Sequence, residues 1–189
     1  MPSIAAHMVI AKLVSDNLNI NNEDFIRGNL LPDITSDIDS HHRKMGKMFY
    51  TVDIDYFKNK LDLNNPLYLG YYTHLLLDSY FEEEYLPSTI TYTDIFKDRT
   101  MYKEYDLINY EIVKKFNLDV EYLTTILKKY NVDINKEKLD LNIKCLSNTQ
   151  VGETKYLKFE PFSDFLLNIS NVISDEIRNY VSTNNTIRR

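Results

Sequence analysis

Ile4, Met8, Ala11, Val14 and Leu18 fall on one stripe at helical spacing, and Ser3 stands where a helix cap is needed. This pattern predicts a first helix over about Ser3–Asn17. A short helix over Asn22–Leu30 is expected next. Pro32 has no amide donor and pushes Leu31 out of the helical region, so this helix should end between Gly28 and Pro32. The stretch from Asp33 to Ser40 is polar and reads as irregular. Another short helix is expected near Asp53–Leu61. Asn65-Pro66 then supplies a cap followed by proline at the first helical position. From Leu67 to Tyr85 the chain is apolar on nearly every side, which places a helix in the centre of the fold, with Pro87 as its stop. Further helices are expected at about Asp98–Phe116, Asp119–Tyr130 and Phe162–Ser182. Over Asn135–Tyr156 a short helix and a loop both fit.

The sum is an all-α, irregular helical bundle of six or seven helices. The length of 189 residues fits a single domain over 1–189. Only four glycines and five prolines punctuate the chain, which favours long helices over a turn-rich β fold. The 43% hydrophobic and 26% charged content is that of a folded chain, so disorder is not expected. A net charge of −6 without a basic stripe excludes a nucleic-acid binder of the usual kind. Cys145 is the one cysteine, so no internal disulfide forms; it reads as a small core residue. The N-terminal stretch is apolar but interrupted by His7 and Lys12, and reads as an amphipathic helix rather than a signal peptide. No run reaches the roughly 18 apolar residues of a membrane span. A cytoplasmic location is the expectation.

The chemistry gathers in the first half. All four histidines, His7, His41, His42 and His74, lie within the first 74 residues. His74 and Asp78 are four apart on the central helix and leave the same face. A carboxylate buried there must be paired, hydrogen-bonded or metal-bound; a direct His74–Asp78 bond and a shared cation both satisfy that need. His7 lies on the inward stripe of the first helix, as a core histidine or as a ligand. Pro32 fixes the backbone before Asp33, which aims that carboxylate or makes a turn. Adjacent residues on a helix diverge by about 100°, so at most one of His41 and His42 joins a given site. Three imidazoles and two carboxylates on separate elements suit zinc or a similar divalent cation.

In this order, Ala6-His7, Gly28-Asn29-Leu30-Leu31-Pro32-Asp33, Ser40-His41 and Gly70-Tyr71-Tyr72-Thr73-His74-Leu75-Leu76-Leu77-Asp78-Ser79 resemble the zinc-dependent phospholipase C family, whose superfamily also holds nucleases of the P1 type. The resemblance covers roughly the first 85 residues. It divides the domain into a metal-site half over about 1–87 and a divergent helical half over about 88–189. It implies an all-helical phospholipase C-like fold in which Asp33, His41, His74 and Asp78 share one zinc. Asp78 then bridges to a second zinc that also takes His7, and Asp33 serves as ligand or as general base. The implied activity is metal-dependent hydrolysis of a phosphodiester or phospholipid, with a phosphate-ester small molecule or lipid headgroup as partner. The family's N-terminal tryptophan ligand has no counterpart, and its third metal site has only Glu84 near one position and no later histidine. One or two ions are therefore expected. Those departures also admit a second expectation: a non-catalytic binding module that keeps the fold with one structural metal or none. The His-Asp phosphohydrolases are excluded, because the chain contains no contiguous His-Asp pair.

Overall fold

Ser3 opens the first helix, its hydroxyl accepting from the Ala6 amide, and Asn19 closes it in the left-handed conformation at φ 55°. A computed structural model describes residues 2–47, 50–89, 100–129 and 134–187. Helix α1 (Ile4–Leu18) is buried over most of its length, since Ala5, Ala6 and Ala11 let neighbours approach on several sides. Helix α2 (Glu23–Ile34) is capped by Asn22. The expected break before Pro32 does not occur. Pro32 lies inside the last turn, where Thr35 N–H to Leu31 O still closes the helix, so one missing donor is tolerated. Asp33 therefore sits on a helix rather than on a loop.

A two-stranded antiparallel hairpin follows, β1 (Arg43–Met45) with β2 (Tyr50–Val52), which the sequence pattern did not predict. All three residues of β1 are exposed, so no alternating signal exists to read. Helix α3 (Ile54–Lys60) leads to α4 (Pro66–Tyr80), which starts at the expected Asn65-Pro66 cap. The apolar run is buried as anticipated, from Leu69 to Asp78 without interruption. Its end differs. The backbone widens into a π turn over Phe81–Tyr85, where Leu86 N–H reaches Phe81 O, and continues helically over Leu86–Thr89. The shifted hydrogen-bond ladder accommodates Pro87, which does not act as a stop.

Two glycines decide how α2 and α4 meet. A Cβ on Gly28 would lie 1.9 Å from Leu67 O, and one on Gly70 would lie 2.0 Å from Phe25 O. The two helices thus touch backbone to backbone, which no other residue type permits here.

The remaining helices are α5 (Thr100–Lys115), α6 (Val120–Lys128), α7 (Lys136–Leu146) and α8 (Phe159–Ile187). The expected start at Asp98 and the expected end at Tyr130 lie outside the described residues. The ambiguous stretch after Asn135 resolves into α7 and a following loop. Glu104 of α5 is buried and holds that loop by accepting from the amides of Lys155, Tyr156 and Leu157 at 2.8–2.9 Å. One continuous hydrophobic cluster runs from α1 through α4 to α5, α7 and α8. The protein is a mostly helical single domain, 71% helix, with eight helices among the described residues rather than six or seven. None of the described helices is long and apolar enough to cross a membrane.

Candidate metal centre

The α2–α4 crossing brings Asp33, from the last turn of α2, against the buried face of α4. That face carries His74 and Asp78, both 0% exposed. α1 adds His7, also 0% exposed. The segment between α2 and β1 adds His41, whose side chain is 13% exposed, beside Asp33 at 11%. All five sequence-predicted residues meet in one place.

The spacing of the donor atoms is informative. His41 Nε2 lies 3.3 Å from His74 Nε2, 3.3 Å from Asp78 Oδ2 and 3.6 Å from Asp33 Oδ1. His74 Nε2 lies 3.4 Å from Asp78 Oδ2 and 3.8 Å from Asp33 Oδ1. Charge-assisted hydrogen bonds run to about 2.7–2.9 Å, so these contacts are too long to be good ones. Two donors each about 2.0–2.1 Å from one tetrahedral ion stand roughly 3.3–3.5 Å apart. The three separations among His41, His74 and Asp78 match that spacing, and the two from the imidazoles to Asp33 are 0.1–0.3 Å longer. The other Asp78 oxygen, Oδ1, faces His7 Nε2 at 3.5 Å; His7, His74 and Asp78 form one candidate ligand group and Asp33, His41 and His74 another, with His74 common to both.

Both Asp78 oxygens, Asp33 Oδ1 and both His7 ring nitrogens are buried without a hydrogen-bond partner. A buried carboxylate left that way costs several kcal/mol unless a cation compensates it. The residues present therefore fit a divalent ion with mixed imidazole and carboxylate tastes.

Neighbouring groups fix the ring orientations. His74 Nδ1–H donates to Asn29 O at 2.7 Å; a carbonyl only accepts, so Nε2 turns its lone pair into the cluster. His41 Nδ1 lies 3.0 Å from Ser40 Oγ, and Ser40 O in turn accepts from Tyr71 OH at 2.5 Å. The His7 ring stacks on His74 with centroids 3.7 Å apart. Sequence reading missed Asn29, Ser40 and Tyr71 as positioning residues. Their only signal was adjacency to the glycine and histidine positions of the motifs.

Protonation follows the same electrostatics. Burial, with His74 alongside, pushes His7 below its ordinary value. Burial also opposes charge on His74, but Asp33 and Asp78 together outweigh it and the net shift is upward. Asp78 is held well below the usual carboxylate range: burial works against this, and His74, His41 and His7 overcome it.

His42 and Glu84 stay outside. His42, at a positive φ of 21°, bonds to Asp39 and stacks on Tyr56. Glu84 is exposed on the π turn, while Glu82 of the same turn is buried and paired with Arg43 at 2.8 Å, which ties the hairpin to that turn. Tyr71 and Tyr72 are core residues. Asp33 and His41 open on a cleft of about 700 Å³ whose far wall comes from α5 and α7. Compared with known proteins, the chain matches no family model, no curated protein and no solved structure.

Proposed function

We propose that the chain is a divalent-metal-dependent phosphoesterase, with zinc as the preferred ion and one or two ions per chain, akin to the zinc-dependent phospholipase C family. The observation that carries the reading is the gathering of Asp33 Oδ1, His41 Nε2, His74 Nε2 and Asp78 Oδ2, with the two imidazole nitrogens 3.3 Å apart and each 3.3–3.8 Å from both carboxylate oxygens. His7 and the second Asp78 oxygen supply part of an adjoining site. A bound ion of this kind acidifies water and neutralises charge on a phosphoryl group.

The residues divide the remaining work. Asp78 and His74, without solvent access, hold the cation and exclude bulk water. Asn29 and Ser40 keep the two imidazoles in the ligating orientation. Asp33 is partly exposed, and with Oδ1 given to the ion its other oxygen is left to take a proton from the attacking water at the mouth of the cleft. The opening towards solvent at Asp33 and His41 favours catalysis over a purely structural ion, since catalytic sites keep an accessible position.

The test is hydrolysis of bis(4-nitrophenyl) phosphate by the full chain loaded with zinc, manganese or iron. The reading expects metal-dependent turnover, abolished by His74→Ala and lowered about a hundredfold or more by Asp33→Asn. Absence of turnover with all three metals overturns it. The complete burial of His7, His74 and Asp78 favours a second reading, a structural ion in a non-catalytic protein. That reading expects one tightly held ion, no turnover and a large fall in thermal stability on chelation.

A further inference from the structure

The cleft in front of Asp33 and His41 has a chemical polarity of its own. Its far wall carries Asp106 and Asn109 from α5 and Lys138 and Asn142 from α7. The exposed Lys138 lines the same cleft and its Nζ donates to Thr35 O at 3.4 Å, two residues beyond Asp33. Asn109 is 1% exposed and its amide oxygen has no hydrogen-bond partner. A buried acceptor left open beside a cavity is a place for a donor from a ligand. Asp106, partly buried in the same wall, is a second acceptor facing the same space.

We infer that this cleft takes a phosphate ester whose alcohol carries free hydroxyl groups: Lys138 faces the anionic end beside Asp33 and His41, and Asn109 and Asp106 accept hydrogen bonds from the hydroxyls. An alcohol whose oxygens are all esterified offers no donor and leaves the Asn109 oxygen unmet. The divergent half of the chain thus sets which ester is accepted, while the first half holds the cation. The inference deepens the phosphoesterase reading and rests on it for the placement of the phosphoryl group.

The experiment uses two probes without an ester bond, 3,4-dihydroxybutylphosphonate and butylphosphonate, titrated calorimetrically into the zinc-loaded full chain. The expected result is about tenfold tighter binding of the dihydroxy compound, as for one or two retained hydrogen bonds to a charged or buried acceptor. Asn109→Leu and Asp106→Ala should each reduce that preference and leave butylphosphonate affinity unchanged. Asp106→Ala decides the matter if Asn109→Leu fails to fold. Equal binding of the two probes, or binding of neither, overturns the inference. Failure of the phosphoesterase reading is separate: a preference among phosphonates with no hydrolysis of the matching esters removes catalysis and leaves the ligand assignment. Hydrolysis without a preference does the reverse.

Discussion

The two halves of the protein solve the packing problem differently. In the first, α2 and α4 meet at Gly28 and Gly70 with backbone against backbone, and polar groups fill the space beside the crossing. In the second, helices meet through ordinary apolar side chains: Ile108 and Ile112 of α5, Leu139 and Leu146 of α7, Phe162, Leu166, Ile169 and Ile173 of α8. Its one described glycine, Gly152, would place a Cβ 3.2 Å from the tip of the Leu107 side chain, which can move. A core packed by side chains tolerates small shifts. A cluster of buried His and Asp side chains held on two helices does not, and the glycine contact removes the freedom that side chains leave.

The largest effect is expected where that contact is broken. Gly70→Val forces a side chain into the Phe25 carbonyl, and Gly28→Ala does the same against Leu67 O. Each should lower unfolding free energy in urea by at least about 3 kcal/mol, beyond ordinary overpacking, and remove bound metal. Metal retention at normal stability in either variant would break the comparison.

Next comes Asp78. Burial opposes its charge, but His74, His41 and His7 keep its folded pKa depressed. A depressed carboxylate stabilises the fold above its unfolded value of about 4, and that stability is lost as pH falls. The metal-free protein should therefore weaken between about pH 5 and pH 3 in chemical unfolding. Asp78→Asn should flatten the slope and lose both metal and zinc-induced stabilisation. A slope unchanged by that substitution would mean that Asp78 is not paired as described.

A smaller effect belongs to the orienting shell. Ser40→Ala removes the partner of His41 Nδ1 and should weaken zinc binding about 10- to 100-fold in a chelator competition, with little change in apo stability. The smallest belongs to the second half: Gly152→Ala should cost under about 1 kcal/mol and leave zinc affinity alone, because only a side-chain tip must yield.

What the sequence reveals follows the same division. The central helix was legible because Asn65-Pro66 marks its start and its apolar faces require burial. The buried His and Asp cluster was legible because buried charge needs a reason. The fate of Pro32 and Pro87 was not: each depends on hydrogen bonding around it, a helix's last turn in one case and a π turn in the other. The hairpin was invisible because its exposed first strand carries no pattern. Gly28 and Gly70 stood in the motifs, but their partnership exists only once α2 and α4 cross. The contact of His7 with His74 and the orienting role of Asn29 O likewise arise from tertiary placement, since 67 and 45 residues respectively separate the partners.

Convergence of Asp33, His41, His74 and Asp78 on one cation, with His7 in an adjoining site, is the claim from which the rest is built, and zinc K-edge X-ray absorption of the loaded chain tests it most directly. The account predicts a low-coordinate nitrogen and oxygen shell at about 2.0–2.1 Å with the outer scattering of at least two imidazoles. A sulfur shell at about 2.3 Å, which would place zinc on Cys145, or a shell of oxygens without imidazole, would contradict it.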